Sequence, residues 1–319
     1  MDAELAVIVP AYNAAATLAE TLEAILTSEI AIEVVVVNDG SSDETEAIAR
    51  HFAANDTRVS VVAQPNSGPT VARATGIAET TAPLFICCDA DDVWDLGFAE
   101  KMVAAMRRRS DAVLAVSQFR LIDHQGPTAS QSSYPDWVKH PVVARRLHFV
   151  PAPKLDFAAA SARLCFPPPA GVVVRRQRFV EAGGFAISIR RSEDIECWIR
   201  LCQLGPFVSV ADASFGYRVS KGQRSQRRGR QLGAVKAKRE VLRRCTTRRH
   251  VRIAAHGGLA FYATLSRERL IFGVRQRAVR SLVLGLANVA VCGAIGIFAI
   301  EALVTPNRVR LRRFSGATR

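Results

Sequence analysis

Three aspartates lie close together directly after an apolar run. In the segment "ICCDADDVW", residues 86–94, Asp89, Asp91 and Asp92 follow a stretch that is typical of a buried strand. Mg²⁺ prefers oxygen ligands and is commonly held by one or two carboxylates together with substrate phosphates. Aspartates are also among the residues most often left exposed to solvent. The residue types alone therefore allow either a divalent-cation site or a solvated loop.

Two further acidic features are candidates for chemistry. Asp39 ends the β-branched run "EVVVVND", residues 33–39, and the pair Glu193-Asp194 opens a predicted helix over 192–205. A carboxylate with a pKa of about 4 is ionised at neutral pH and can accept a proton from a reacting hydroxyl. Negative charge is also favoured at a helix N-terminus, so helix capping is an alternative interpretation of the pair.

The elements that position these residues alternate regularly. Predicted strands over 5–10, 33–39, 58–64 and 82–89 alternate with predicted helices over 14–28, 41–54 and 69–81. Such alternation predicts an α/β domain with a parallel sheet and crossover helices. Ligands bind such sheets beyond the carboxyl ends of the strands. Because Asp39 and Asp89 stand at two of these ends, we expect the acidic residues to line a cleft.

Predicted helices and strands continue to alternate after Asp92. The sequence predicts a helix over 96–109 with Asp95 as its cap, then a strand over 111–123 and a polar loop over 124–137. Residues 165–185 predict a proline-rich entry, a strand, and a helix that ends at Gly183-Gly184. We expect Cys87 and Cys88 to be small buried residues of the strand.

Four motifs stand at the ends of successive elements: "VIVPAYNA" (7–14), "VVNDGSSDET" (36–45), "NSGPTVARATG" (66–76) and "DADD" (89–92). In this order they resemble the family 2 glycosyltransferases, which have the GT-A nucleotide-sugar-binding fold. The resemblance continues in "GVVVRRQRFVEAGGF" (171–185), "SEDIECWIRL" (192–201) and "GYRVSKGQRS" (216–225). It therefore covers about residues 5 to 226.

The resemblance implies a domain organisation. A GT-A catalytic domain, with a mostly parallel central sheet flanked by helices, is expected over 1–226. Its nucleotide-binding half would be 1–95 and its acceptor half 96–226. A basic helical region, expected to associate with a membrane, would follow over 227–319.

The resemblance also implies a reaction, which is inverting transfer of a hexosyl group from a nucleotide sugar, expected to be UDP-linked. The acceptor would be a glycan or a lipid-linked molecule in cell-surface polysaccharide or glycolipid synthesis. Asp194, next to Glu193, would be the general base. Asp91 and Asp89 would hold Mg²⁺ or Mn²⁺, with Asp89 also near the ribose. The remaining donor contacts would come from Pro10, Ala11, Tyr12 and Asp39 around the base, and from Asn66, Gly68 and Arg73 near the ribose and diphosphate.

Two positions depart from the family pattern. Many members have a histidine shortly after the Tyr-Arg pair, where this chain has Ser220 and Lys221, and Thr75 stands where Asn is frequent. The first departure leaves open a catalytically degenerate homologue that acts as a membrane-bound scaffold. A nucleotidylyltransferase is disfavoured, because "PAYNAAAT" lacks a glycine-rich phosphate loop. A dinucleotide oxidoreductase is disfavoured too, since no Gly-x-Gly-x-x-Gly follows a strand.

The charge is divided unevenly along the chain. Residues 218–319 carry 24 Lys and Arg against three Glu, whereas residues 1–217 carry 19 basic and 26 acidic side chains. This asymmetry indicates an anionic partner. Residues 224–231 lack the aromatic side chains that stack on single-stranded nucleic acid, so we expect an anionic membrane surface and no nucleic acid.

The uncharged stretch 281–300 is about long enough to span a bilayer, but it is equally compatible with an interfacial or buried helix. The N-terminal residues predict a first strand rather than a signal peptide. Seven scattered cysteines fit a reducing compartment. We therefore expect a cytoplasmic protein at the cytoplasmic face of the membrane.

Overall fold

The computed structural model describes residues 2–122, 168–187, 193–202 and 204–219. The chain divides into two compact units. The first comprises Met1–Pro153, Pro167–Ile187 and Leu204–Arg224, and the second Lys154–Phe166, Ser188–Gln203 and Ser225–Arg319. Several predictions lie outside the described residues: the loop 124–137, Ser220, Lys221, the basic region 227–319 and the apolar stretch 281–300.

Strands and helices alternate along the first part of the chain, as the sequence predicts. They are β1 (Leu5–Ala11), α1 (Leu18–Leu26), β2 (Ile32–Asn38), α2 (Thr45–Asn55), β3 (Val59–Ala63), α3 (Pro69–Ala78) and β4 (Leu84–Cys87). The remaining elements are β5 (Val93–Trp94), α4 (Phe98–Arg108), β6 (Leu114–Ile122), β7 (Val172–Arg175), α5 (Arg176–Glu181), α6 (Glu193–Leu201) and β8 (Phe207–Arg218). Helix α6 belongs to the second unit, and all the other elements belong to the first.

The described strands form one eight-stranded sheet in the order β3-β2-β1-β4-β7-β6-β8-β5. Strands β1 to β4 pair in parallel, and so do β6 and β8. Strand β7 is antiparallel to both β4 and β6, and β5 is antiparallel to β8. The predicted α/β class is confirmed, and its parallel part is the half that carries the sequence motifs.

The central strands are covered on both faces, which explains their continuous β-branched sequence. On β2, Val34 and Val36 belong to the main core cluster with α1, whereas Val35 and Val37 pack with Ala72 of α3. A Cβ on Gly76 would lie 2.5 Å from Cγ2 of Ile8. Glycine at this position therefore allows α3 to lie directly against the sheet.

Several element boundaries differ from the sequence-based prediction. Helix α1 begins at Leu18 rather than at residue 14, and α4 begins at Phe98, after Gly97 in the left-handed conformation. The Asp95 side chain does not cap α4. It forms an ion pair with Arg120 instead. The end of α5 agrees with the prediction, because Gly184 has a φ of 65° and donates to the Phe179 carbonyl at 3.0 Å.

Within the described ranges, no helix is long and apolar enough to cross a membrane.

Candidate functional site

Three parallel strands bring the predicted site residues to one edge of the sheet. The register pairs Ala11 of β1 with Asn38 of β2, and Ile8 of β1 with Cys87 of β4. The pairing continues past the strands, since the Asp39 N–H donates to the Ala11 carbonyl at 2.8 Å. The carboxyl ends of β1, β2 and β4 therefore place Tyr12, Asp39 and Asp89 at the same edge.

Asp39 holds the segment that follows β3. Its side chain is buried, and its carboxylate accepts hydrogen bonds from the Ser67 N–H, the Gly68 N–H and the Gln64 amide, each at 2.8 Å. Such charge-assisted bonds are stronger than neutral ones. Asp39 thus fastens residues 64–68, including Asn66, to the end of β2.

Gln64 was not predicted as a site residue, and a second hydrogen bond fixes its side chain. The Thr75 hydroxyl donates to Gln64 Oε1 at 2.7 Å, which leaves the amide N–H to donate to Asp39. Thr75 is the position where the sequence departs from the family pattern. The sequence carries no local signal for the hydrogen-bonded series Thr75–Gln64–Asp39, because Asp39 follows β2, Gln64 follows β3 and Thr75 lies in α3.

Arg73 contacts Asp89 across the gap between α3 and β4. Arg73 Nη2 lies 2.7 Å from Asp89 Oδ1, and the Arg73 side chain is 6% exposed against 33% for Asp89. The sequence motif placed Arg73 near a phosphate, and in the ligand-free protein its guanidinium faces a carboxylate. Arg73, Asp89 and Asp39 therefore lie at one edge of the sheet.

The three aspartates of the acidic segment, residues 88–92, differ in burial. Asp92 is fully buried, and its Oδ1 accepts a hydrogen bond from the Arg218 backbone N–H at 3.1 Å. Burial raises the pKa of Asp92 well above its ordinary value, and the nearby Asp91 and Asp89 charges raise it further. Asp89 and Asp91 are only partly buried. These two, rather than all three aspartates, can face a ligand.

Asp89 and Asp91 are compatible with a divalent cation that arrives with a phosphate-bearing ligand. Among the residues that the structure describes, no group of three or more His, Cys, Asp or Glu side chains could hold a metal. Mg²⁺ rarely needs such a cage, because one or two carboxylates suffice when phosphates complete its coordination. Asp89 and Asp91 are separated by one residue and are both partly buried, so that this pair can supply those one or two carboxylates.

Hydrogen bonds join two segments beside Tyr12, residues 13–15 and residues 42–45. Asn13 has a φ of 49°, and its side-chain carbonyl accepts from the Ser42 N–H at 2.9 Å. The Asp43 carboxylate accepts from the Ala15 N–H at 3.1 Å, and the Thr45 hydroxyl accepts from the Ala14 N–H at 2.8 Å. These bonds take the backbone out of helical geometry before Leu18. Tyr12 follows β1 and is 52% exposed at the sheet edge, whereas Pro10 and Ala11 lie within β1.

Glu193 and Asp194 form the first turn of α6. Glu193 is buried and Asp194 is partly buried. Helix α6, and with it both acids, belongs to the second unit. Trp198 is fully buried there and is a core residue of that unit. In the same helix Glu196 and Arg200 form a buried ion pair at 2.7 Å.

A family model described as glycosyl transferase family 2 matches residues 6–165. The succinoglycan biosynthesis protein ExoU of Rhizobium meliloti is 39% identical over 90 residues, which are 28% of this chain and 26% of ExoU. The chain matches only 15 to 51% of the length of three other curated relatives.

Solved structures share the fold. S. aureus TarS 1-349, crystallised with UDP-GlcNAc, superposes with a TM-score of 0.62 at 17% identity, over 97% of this chain and 83% of TarS. The mannosyltransferase PcManGT of Pyrobaculum calidifontis, solved with GDP-Man and Mn²⁺, gives a TM-score of 0.56 at 15% identity. That match covers 96% of this chain and 87% of PcManGT.

The α/β sheet with acidic residues at its parallel strand ends is thus that of a GT-A-type glycosyltransferase, as the motifs implied. With the family model covering half of its residues, the chain belongs to glycosyl transferase family 2.

Proposed function

We propose that this protein transfers a hexosyl group from a nucleotide sugar to a hydroxyl of a glycan or lipid-linked acceptor, with inversion at the anomeric carbon. The observation that carries the proposal is the convergence of Asp39, Arg73 and Asp89 at one edge of the sheet, held there by hydrogen bonds and an ion pair. The name of ExoU supports a role in polysaccharide synthesis. The ligands named for TarS and PcManGT support a nucleotide-sugar donor.

The donor nucleotide would lie along the edge formed by β1, β2 and β4. Tyr12 offers an exposed ring and Pro10 and Ala11 offer backbone beside Asp39, which is the arrangement that a planar base requires. Asn66 and Gly68, fastened by Asp39, would border the ribose. UDP is the expected carrier, on the basis of the family resemblance and of the UDP-GlcNAc complex of TarS.

Asp91 and Asp89 would hold Mg²⁺ or Mn²⁺ together with the donor diphosphate. A bound cation would neutralise the charge that develops on the departing diphosphate. Arg73 holds one Asp89 oxygen, so that the carboxylate has a fixed orientation and its second oxygen can face the ligand.

Asp194 would accept the proton of the acceptor hydroxyl. As that oxygen forms a bond to the anomeric carbon, the bond from this carbon to the diphosphate oxygen breaks, and the electron pair leaves with the nucleoside diphosphate. Attack from the opposite face inverts the configuration. Glu193, the buried neighbour at the same helix start, would keep the first turn of α6 negative.

The basic region 227–319 would bring the enzyme to an anionic membrane surface at the cytoplasmic face, where lipid-linked acceptors lie. The excess of Lys and Arg there supports this part of the proposal, because basic clusters near such a surface gain about 1 kcal/mol per charge. Failure of the full chain to sediment with anionic vesicles at low salt would contradict it.

The test of the reaction combines donor binding with transfer. Thermal-shift measurements with UDP- and GDP-sugars, with and without Mn²⁺, should reveal stabilisation by at least one donor. Asp194→Asn should keep that stabilisation and lose transfer by at least about 100-fold, within the range attributed to general base catalysis. Glu181→Gln, a change in an exposed ion pair, serves as the matched control and should retain transfer. Absence of stabilisation by any donor would favour the scaffold alternative.

A further inference from the structure

Arg218, the last residue of β8, connects three separate segments of the first unit. Its Nε donates to the Asp91 carbonyl at 2.9 Å, and its Nη2 lies 2.6 Å from Glu20 Oε2 in α1. Its backbone N–H donates to the Asp92 carboxylate at 3.1 Å. The Arg218 side chain is only 3% exposed, whereas Glu20 is 52% exposed. The guanidinium is therefore buried beneath the acidic segment rather than displayed to solvent.

The topology explains why this contact matters for the acidic segment, residues 88–92. At one end the segment leaves β4, and Cys88 still donates to the Ile8 carbonyl at 2.9 Å. At the other end it enters β5, whose only two residues pair with Gly216 and Phe215 of β8. Arg218 lies two residues further along β8. It therefore contacts the segment between its two anchored ends.

The planar guanidinium suits this position. Nε and Nη2 donate in fixed, divergent directions, so one side chain can bind a backbone carbonyl and a carboxylate at once. The bond to the Asp91 carbonyl restrains the peptide that carries the Asp91 side chain. The bond to Asp92 comes from the Arg218 backbone N–H and therefore does not depend on the side chain. The guanidinium itself restrains the direction in which Asp91 can point, whereas Asp89 is oriented by Arg73.

We propose that Arg218 is a positioning residue whose side chain presents the Asp91 carboxylate, next to the Asp89 that Arg73 orients, to a cation-bearing nucleotide diphosphate. The inference rests on the proposed function for the identity of the ligand. It goes beyond that function by assigning the presentation of the acidic segment to a buried arginine at the far end of the sheet. The conformation of the segment itself is a separate consequence that can be measured without any ligand.

The chain offers a matched control in Arg120. This residue lies in β6, opposite Gly216 of β8, and its Nη2 forms an ion pair with Asp95 at 2.6 Å. It resembles Arg218 in side chain, location in the sheet and type of partner. It differs in two respects: its side chain is 40% exposed, and its ion pair is with Asp95, outside residues 88–92. Comparison of Arg218→Gln with Arg120→Gln therefore separates loss of any sheet arginine from loss of the contact to the acidic segment.

The first measurement is hydrogen exchange of the full-length, ligand-free protein. In Arg218→Gln the peptide that contains residues 88–92 should exchange at least about 10-fold faster than in the wild type, since local opening becomes easier. The same peptide should be unchanged in Arg120→Gln, and β1 and β2 should remain protected in both variants. Equal exchange of residues 88–92 in the wild type and Arg218→Gln would overturn the proposal, whatever the protein binds.

The second measurement is binding of UDP with and without Mn²⁺. The gain in affinity that Mn²⁺ confers on the wild type should fall about 10-fold in Arg218→Gln, because residues that orient metal ligands have effects of this size. Affinity for UDP without metal should stay within about twofold, whereas a general structural defect would lower both. An unchanged Mn²⁺ gain in Arg218→Gln would overturn the proposal. Absence of any UDP binding by the wild type would instead overturn the UDP-dependent function, while exchange still decides whether Arg218 positions the segment.

Discussion

Arg73 Nη2 lies 2.7 Å from Asp89 Oδ1, and this ion pair joins the middle of α3 to the end of β4. The arginine is almost completely buried and the aspartate is one-third exposed. One carboxylate oxygen is therefore held by the protein, and the side chain is restrained before any ligand arrives. The orientation of Asp89 consequently depends on α3, which also borders the segment that Asp39 fastens.

Replacement of Arg73 should affect both stability and the candidate site. Arg73→Gln removes the buried charge and leaves Asp89 without its partner, which should lower the free energy of unfolding by about 1–3 kcal/mol. Urea denaturation measures this change. Arg109→Gln is the control, because the Arg109–Asp111 pair is at least half exposed and exposed ion pairs contribute little to stability. Equal effects of the two substitutions would contradict a structural role for the Arg73–Asp89 pair.

Gly40 should tolerate a side chain less well than Gly97. The two residues have nearly equal φ values, 73° and 74°, so a substitution by alanine costs similar backbone strain in both. A Cβ on Gly40 would lie 2.8 Å from the Asn66 backbone nitrogen, whereas a Cβ on Gly97 would meet only the end of Lys101 at 3.8 Å. Gly97→Ala should cost about 1–2 kcal/mol.

Gly40→Ala should cost at least about 1 kcal/mol more, since it forces two backbone segments apart. It should also weaken nucleotide binding, because the displaced segment is the one that Asp39 holds. Thermal unfolding and UDP titration of both variants test these expectations. A Gly40→Ala protein as stable as Gly97→Ala would show that residues 64–68 can move freely.

Asp43 should contribute stability that disappears in acid. Burial acts to raise the pKa of Asp43, but hydrogen bonds from Thr45 and Ala15 outweigh it and hold the pKa below the ordinary value of 3.8. The folded state therefore favours the ionised form. Its contribution is present above the unfolded-state pKa and is lost as the pH falls through the lower folded-state pKa.

Asp43→Asn should consequently destabilise the protein at pH 7, by at most about 1 kcal/mol because the site is exposed. The difference in unfolding free energy between wild type and variant should shrink as the pH is lowered from 5 to 3. Urea denaturation at several pH values measures it. A difference that stays constant over this range would mean that the Asp43 charge has no part in the loop contact.

Cys87 and Cys88 should resist alkylation in the folded protein. Burial raises the pKa of the Cys87 thiol to about 12, and burial likewise raises that of Cys88 well above its ordinary value. Iodoacetamide requires a thiolate, so neither residue should react at pH 8 until urea unfolds the chain. Peptide mass spectrometry distinguishes them from Cys202, which is partly buried and should react sooner. Early modification of Cys87 would contradict its location in a central strand.

The parallel half of the fold could be predicted from local sequence. Apolar runs rich in β-branched residues predicted β1 and β2 to within one or two residues of their observed bounds. Such runs are typical of strands that are covered on both faces. Strand β5 was not predicted, since two residues cannot show a period. Strand β8 was not predicted either, because polar residues interrupt its apolar pattern and its conformation depends on pairing with β6.

In the candidate site, too, some features could be predicted from local sequence and others could not. Aspartates at strand ends are visible in sequence, and the structure places Asp39 and Asp89 after the ends of β2 and β4, the two strands that pair with β1 on either side. The contacts that orient these side chains are not visible. Gln64 reaches Asp39 across 25 positions, and Arg218 reaches Asp91 across 127 positions. Only the folded chain brings such partners together.

The order of the strands has a consequence for the shape of the sheet. Strands β4 and β5 are separated by β7, β6 and β8, which amounts to roughly 19 Å across a flat sheet at about 4.8 Å per strand. From Cys87 to Val93 the chain could reach roughly 20 Å if it were fully extended. It is not extended, because Asp92 donates back to the Asp89 carbonyl at 3.1 Å. The sheet must therefore curl so that β5, at its edge, approaches β4. The acidic segment bridges the two strands directly and limits how far this part of the sheet can flatten.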